Sequence, residues 1–101
     1  MKIREYMNEN TGKTILKQIK AQDKWSLASW GAKNFVETYD GIQFDVRGSK
    51  FKGRVIITLD SRSDDYSLEF GKISKSDWKP VKTIEHILWS QLIEILDNEI
   101  G

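Results

Sequence analysis

Three segments in the middle of the chain carry an apolar residue at every second position. Apolar side chains occupy every second position in residues 42–46, 55–59 and 66–70. A period of two places them on one face of a strand and leaves the other face polar. The Asp40-Gly41 pair precedes the first run, and Asp-Gly between alternating runs is a strong hairpin signal. The pattern therefore predicts an antiparallel meander of three to four strands.

Residues before the strands show helical spacing. A first helix is predicted from Thr11 to about Gln22, because its apolar residues recur at helical intervals. Residues 25–30 and 35–39 are predicted to be extended, with Gly31 allowing a tight turn between them. The apolar residues of the first helix are Ile15, Leu16 and Ile19.

A second helix is predicted at the other end of the sheet. Pro80 is expected to close the sheet region, and Thr83 is expected to cap a helix that runs to about Asn98. The apolar spacing in this segment fits one stripe of a helix that faces a core. The stripe consists of Ile84, Ile87, Leu88, Leu92, Ile95 and Leu96.

These elements together predict an α+β fold. A sheet with one apolar face is most simply covered by amphipathic helices, so we expect an N-terminal and a C-terminal helix packed on one face of the meander. Residues 1–10 are polar and are expected to form a flexible leader. Residues 11–101 are expected to form a single domain, since a chain of 101 residues has room for one core.

Composition narrows the class of protein. Apolar residues make up 39% of the chain, which is enough to close a core. Cysteine is absent, which excludes disulfides and thiolate zinc sites. No apolar run approaches the roughly 18 residues that a membrane span requires, and the N-terminus lacks the apolar region of a signal peptide. We expect a cytoplasmic protein without a cofactor, a bound metal or a membrane partner.

Charge is unevenly distributed along a chain whose net charge is only +1. Residues 1–34 carry seven Lys or Arg against three Asp or Glu, whereas residues 64–101 carry four against eight. Two explanations remain open. The two ends are spatial neighbours that neutralise each other, or the protein has a dipolar surface that orients a charged partner.

One segment carries a resemblance. Leu27 begins a short apolar run that leads into Gly-Ala-Lys-Asn-Phe at residues 31–35, and the alternating run 42–46 follows. In this order of elements the chain resembles, over residues 14–100, a family of small uncharacterised proteins encoded by phages and prophages. The resemblance implies a helix, several strands and a terminal helix, and a location in the host cytoplasm. That family has no established activity, so the resemblance implies no site residues.

Three short motifs match parts of catalytic or ligand-binding sites, and each is incomplete. Residues 11–14 read Thr-Gly-Lys-Thr, the end of a phosphate-binding loop, but Met7 stands where the first glycine is required. Residues 60–65 hold three carboxylates without the glycine and the terminal acid of a calcium loop. His86 is the only histidine, and Ser90 one helical turn later would need a third orienting group to act as a nucleophile. These absences argue against an enzyme.

The segment between the first two alternating runs is basic. Four cations interleave with two glycines and one phenylalanine in residues 47–54, at the tip of a predicted hairpin. Such a loop suits contact with phosphates, and the phenylalanine suits stacking on a base. Cations at a hairpin tip also protect a sheet edge from aggregation, which is the competing explanation. The candidate nucleic-acid contacts are Arg47, Lys50, Phe51, Lys52 and Arg54.

The second predicted helix has apolar residues outside its core stripe. Trp89, Ile93 and Ile100 lie on the far side of the helix when successive residues are placed 100° apart. A helix that is apolar over so wide an arc buries two faces, either within its own domain or against another molecule. These three residues are the candidate protein-interaction surface.

We therefore expect a small non-catalytic protein of phage or prophage origin that acts as a protein-interaction module, with self-association into a dimer or another homo-oligomer as one form of that role. The alternative is a nucleic-acid-binding accessory protein that uses the basic hairpin 47–54. A more remote alternative is an enzyme whose carboxylate site the sequence does not identify.

Overall fold

The described residues form one antiparallel sheet whose strands follow one another in chain order. The structure is a computed structural model and describes residues 14–22, 25–60, 62–75 and 77–101. The strands are β1 (Lys33–Thr38), β2 (Gly41–Arg47), β3 (Lys52–Asp60), β4 (Asp65–Ser74) and β5 (Asp77–Ile87). Their order in the sheet is β1-β2-β3-β4-β5, the arrangement of a meander.

Helices lie at both ends of the described chain. The helix α1 covers residues 14–22, the four-residue helix α2 is Ser26–Ser29, and α3 is Trp89–Ile100. Alternate residues of the central strands point toward these helices, because successive side chains of a strand face opposite sides of the sheet. The fully buried side chains form one apolar cluster, which comprises Ile15, Ile19, Trp30, Ile42, Phe44, Val55, Ile57, Leu68, Phe70, Ile87, Leu92, Leu96 and Ile100, joined by the slightly more exposed Leu27, Val46 and Tyr66.

The α+β class and the antiparallel meander are confirmed, and so is the placement of helices at both ends. The predicted number of three to four strands is wrong, because the described residues form five. The strands predicted from alternation, β2, β3 and β4, all occur. The Asp40-Gly41 hairpin also occurs, since β1 ends at Thr38 and β2 begins at Gly41.

The fifth strand corrects the predicted second helix. Thr83 does not cap a helix, because residues 77–87 form β5 and α3 begins only at Trp89. Ile84 and Ile87 are three residues apart, which matches a helix, but their partners Leu68 and Tyr66 on β4 are only two apart. A β-bulge absorbs the extra residue, and His86 adopts a φ of 59° within it. The irregular strand therefore imitates helical spacing.

Pro80 lies within β5 and does not end the sheet, contrary to the prediction. It pairs with Gly71 beside a second register shift. β5 is an edge strand of the described sheet, and an edge strand tolerates a residue without a backbone N–H. A proline in the sequence is therefore not sufficient to predict the end of an edge strand.

The segment 25–30 was predicted to be extended, and this is also wrong. Residues Ser26–Ser29 form α2, which ends in a Schellman motif. The N–H of Gly31 donates to the carbonyl of Ala28, and the N–H of Ala32 donates to the carbonyl of Leu27. Gly31 has a φ of 63°, the left-handed conformation that this motif requires and that glycine adopts without a steric cost.

Three of the sequence-based predictions concern residues outside the described part of the chain. The polar leader, residues 1–10, and the start of the first helix at Thr11 lie outside the described residues. The same holds for Gly12 and Lys13, so the incomplete phosphate-loop match is not tested.

Candidate functional site

One face of the sheet carries polar and apolar side chains that stay in contact with solvent. The described helices bury their apolar residues in the core cluster, on the opposite side of the sheet. We call the solvent-facing side the open face. Its residues, all half-buried or exposed, include Gln43, Asp45, Arg47, Lys52, Arg54, Ile56, Thr58, Ser67, Glu69, Ile73 and Trp78.

Three cations lie together at one end of the open face. Arg47 and Lys52 are register partners on β2 and β3, and Arg54 pairs with Asp45 two residues further along the strands. Register partners are about 5 Å apart at their Cα atoms, and residues two apart on a strand are about 7 Å apart. These cations border a depression of about 470 Å³, which we call the basic groove.

Asp45 is the one carboxylate that borders the basic groove among the described residues. Nε of Arg54 donates to Oδ1 of Asp45 at 3.0 Å, and Nδ2 of Asn34 donates to Oδ2 at 2.8 Å. Partial burial raises the pKa of Asp45, but these two hydrogen bonds and the charges of Arg54 and Lys33 outweigh it. The net pKa is below the ordinary value, so Asp45 stays ionised and neutralises one cation.

Lys33 and Asn34 reach Asp45 because β1 is irregular. The pairing of β1 with β2 shifts register between Lys33 and Val36, and Asn34 adopts a φ of 58° at this point. Asparagine tolerates the left-handed conformation better than most residues. The Gly-Ala-Lys-Asn-Phe element thus supplies one cation and one hydrogen-bond donor to the neighbourhood of the groove.

The structure separates the five candidate residues of the hairpin. Arg47, Lys52 and Arg54 border the basic groove, as described above. Lys50 and Phe51 instead turn toward α3. The backbone N–H groups of both donate to the carbonyl of Ile100, at 3.0 and 3.3 Å, and Nζ of Lys50 donates to the carbonyl of Asn98 at 3.2 Å.

Docking of the hairpin tip on α3 follows from ordinary helix physics. The last carbonyls of a helix have no partners within the helix, and its C-terminus favours cations. Gly48 makes the approach close, since a Cβ there would stand 1.9 Å from the carbonyl oxygen of Ile100. The ring of Phe51 packs edge-on against Phe70, with centroids 5.5 Å apart. Phe51 thus has an aromatic partner within the protein, and its stacking on a base stays a prediction.

A second depression adjoins the basic groove. It has a volume of about 260 Å³ and is bordered by Gln43, Arg54, Ile56, Ile73 and Trp78; we call it the apolar depression. Arg54 and Ile73 border both depressions. Trp78, Ile73 and Lys33 do not stand out in the sequence, because their proximity depends on strand register, which the alternating pattern alone does not give.

The predicted protein-interaction surface does not stand apart from the core. Ile100 is 0% exposed and belongs to the core cluster, while Trp89 and Ile93 are half-buried and pack against it. The ring of Trp89 lies against that of Tyr66, with centroids 5.7 Å apart. The helical wheel misplaced these residues because it included residues 83–87, which are in a strand.

His86 forms an ion pair with Asp65 at the other end of the sheet. Its Nδ1 lies 3.1 Å from Oδ2 of Asp65, where the start of β4 meets the end of β5. The hydrogen bond to Asp65 and the charge of that carboxylate raise the pKa of His86, and Glu85 and Asp60 add to the effect. His86 is not in a helix beside Ser90 as predicted, so the proposed nucleophile pair loses its geometry.

This pair predicts a pH dependence of stability. The folded-state pKa of His86 is raised above about 6.5, the value for an unfolded chain. The stabilisation is therefore fully present below that value and is lost as the pH rises through the folded-state pKa. Urea unfolding of the wild type should show a free energy of unfolding that falls as the pH rises above about 6.5. His86→Asn, which retains tolerance of the positive φ, should flatten this part of the curve; an unchanged slope would contradict the pairing.

Metal clusters and membrane spans are both absent from the described residues. In that part of the chain, no group of three or more His, Asp or Glu side chains is placed to hold a metal ion. No described helix has the length and apolar character needed to cross a membrane.

Comparisons of the chain with protein-family models, with curated proteins and with solved structures found no match.

Proposed function

We propose that the protein is a non-catalytic nucleic-acid-binding accessory protein that holds phosphates in the basic groove. The observation that carries the proposal is the meeting of Arg47, Lys52 and Arg54 beside a depression with Asp45 as its one described carboxylate. Lys72 also borders the groove, and Lys33 adds a further cation close to Asp45.

The charge balance of the groove favours a polyanion. Asp45 is already occupied by Arg54 and Asn34, whereas Arg47 and Lys52 form no ion pair with the described residues. Arg47 and Lys52 are cross-strand neighbours, and like charges directly opposite each other on a sheet are destabilising. A phosphate placed between them removes this repulsion and releases counterions from the nucleic acid.

Three described carboxylates have pKa values that do not suit acid catalysis. A general acid needs a raised pKa, whereas the pKa values of Asp45, Asp60 and Asp65 are all lowered by local hydrogen bonds and charges. Each of these groups is an ionised structural partner of a neighbouring side chain or backbone N–H. None of these three carboxylates is therefore suited to act as a general acid.

The other expectations from the sequence concern the origin of the protein, its location and a protein partner. Phage or prophage origin and a place in the host cytoplasm rest on the resemblance of the Gly31–Phe35 element. The protein-interaction role, including a homo-oligomer, was derived from Trp89, Ile93 and Ile100 as a separate apolar face, and the burial of Ile100 removes that derivation. We therefore favour nucleic acid as the partner.

Salt-dependent binding tests this function. The wild type should bind labelled oligonucleotides at about 50 mM salt, and log K should fall linearly with log salt concentration. Arg47→Glu with Lys52→Glu should weaken binding at least about tenfold, and the salt slope should decrease by roughly 1.4, or about 0.7 for each single-strand phosphate that is no longer neutralised. Fluorescence anisotropy at several salt concentrations measures both quantities.

A matched variant distinguishes the effect of charges in the groove on affinity from the effect of the net charge of the protein. Lys17→Glu with Lys20→Glu makes the same change of charge on α1, on the other side of the sheet. This variant should retain most of the wild-type affinity. Equal reductions of affinity in the two double variants would show that the groove is not the site, and no binding by the wild type would reject the function itself.

A further inference from the structure

We propose that the apolar depression beside Trp78 is a base-binding subsite, which makes the protein selective for single-stranded over double-stranded nucleic acid. This inference rests on the proposed function, since it assumes that phosphates occupy the basic groove. Trp78 belongs to no candidate site derived from the sequence, and its role follows only from the folded arrangement.

The two depressions lie within the reach of one nucleotide. Arg54 borders both, and its register partner on β4 is Gly71. The six-membered ring of Trp78 lies over Gly71, because a Cβ at that position would stand 2.5 Å from both Cη2 and Cζ2 of the ring. Paired residues of neighbouring strands have Cα atoms about 5 Å apart. The basic groove, which Arg54 and Ile73 also border, therefore adjoins the depression that holds the indole ring.

Two contacts orient the ring of Trp78 against the sheet. Its Nε1 donates to Oε2 of Glu69 at 3.4 Å, and the missing side chain of Gly71 lets the ring approach the backbone of the sheet. Trp78 is half-buried, so part of the ring remains accessible. A ring that is already oriented loses little conformational freedom on binding.

The surroundings of the ring suit a base more than a peptide carboxylate. Ile56 and Ile73 form the apolar border, and Ile73 is 51% exposed on a strand surface. Gln43 adds an amide that both donates and accepts hydrogen bonds. A nucleotide consists of an anionic phosphate and a flat, partly polar base. The cations of the basic groove suit the phosphate, and the residues of the apolar depression suit the base.

Whether a base can reach Trp78 determines which form of nucleic acid binds more tightly. In a duplex the bases are stacked and paired, and only their edges are exposed in the grooves. Unpaired bases can turn outward and stack on an aromatic side chain, which is the common mode of single-strand recognition. The open face presents Trp78 to such a base, whereas a duplex would contact the cations alone.

The test compares three ligands with the full chain: a single-stranded oligothymidine, a duplex with the same number of phosphates, and an oligomer of deoxyribose phosphate without bases. The wild type should bind the oligothymidine most tightly. Trp78→Ala should lower affinity for oligothymidine by roughly 5- to 150-fold, the range for removal of one stacked base. It should leave affinity for the base-free oligomer and the salt slope unchanged.

Controls keep the outcome decisive. Trp78→Phe, which retains an aromatic ring, should recover part of the affinity, and Tyr39→Ala at the β1–β2 turn should have no effect. Circular dichroism checks that each variant folds, and the comparison of ligands with the wild type does not depend on any variant. Equal affinity for all three ligands, with a salt slope that still depends on Lys52, would overturn the base subsite while sparing the proposed function. Absence of binding to every ligand would overturn both.

Discussion

Replacement of Trp30 by alanine is expected to reduce the free energy of unfolding by about 3–5 kcal/mol. Trp30 is the largest fully buried side chain among the described residues, with 0% of its surface exposed. It connects parts of the chain that are distant in sequence, since its Nε1 donates to Oδ1 of Asp97 on α3 at 3.0 Å. Its carbonyl also accepts a hydrogen bond from the N–H of Arg47 at 2.7 Å. Removal of the ring leaves a cavity where α2, β2 and α3 meet.

A second substitution separates volume from hydrogen bonding. Trp30→Phe keeps much of the ring and removes the hydrogen bond to Asp97, so we expect a smaller cost than for alanine. The missing hydrogen bond accounts for about 0.5–1.5 kcal/mol, because Asp97 is exposed and can bond to water instead. Urea denaturation at fixed pH compares the three proteins. A cost for Trp30→Ala below about 1 kcal/mol would show that Trp30 is not a core residue.

The central strands were predictable from sequence because their physical signal is local. Phe44, Ile57 and Leu68 each belong to a run with an apolar residue at every second position, and a period of two has no other common structural origin. The burial of these residues follows once the sheet has one covered face. In a meander each strand pairs with the next one in the chain, so the order of the strands in the sheet follows from their order in the sequence. The basic character of the hairpin was equally local, and Arg47 and Lys52 are register partners as a hairpin requires.

Elements whose geometry depends on tertiary structure were not predictable in this way. Ile84 and Ile87 have helical spacing, and only the bulge opposite Tyr66 and Leu68 reveals a strand. Residues in α2 show no amphipathic period, because four residues are little more than one turn. The docking of Lys50 on α3 needs the C-terminus of that helix at the hairpin tip. The sequence of residues 47–54 does not indicate that the C-terminus of α3 lies beside the hairpin tip.

The Gly-Ala-Lys-Asn-Phe element shows how a short segment can combine structural tasks. Gly31 ends α2 in the left-handed conformation, and Asn34 adopts the same conformation while bonding to Asp45. Phe35 lies against Phe44, with ring centroids 5.3 Å apart. Local structure therefore accounts for three of its five residues without invoking a ligand. Lys33 is the member whose charge contributes to the basic groove.

Ile100→Ala is the second substitution with a large expected effect, about 2–5 kcal/mol of the free energy of unfolding. Ile100 is 0% exposed, and its Cγ2 lies close to Gly48 at the tip of the hairpin. Truncation of this side chain opens a cavity between the last turn of α3 and the hairpin, beside the carbonyl that accepts from Lys50 and Phe51. We also expect weaker nucleic-acid binding near the melting temperature, because the hairpin that carries Arg47 and Lys52 is then less well supported.

Ile73→Ala is the matched control for Ile100, since the same side chain is removed from a position that is 51% exposed. Substitutions at such surface positions usually change stability by no more than about 0.5 kcal/mol. Thermal and urea unfolding of both variants, together with light scattering over a wide concentration range, distinguish a core role from an interface role. If Ile100→Ala melts like the wild type but abolishes a concentration-dependent association, Ile100 lies at an interface between molecules. A monomer that becomes less stable only with Ile100→Ala instead places the residue where its burial indicates, within the support of the basic hairpin.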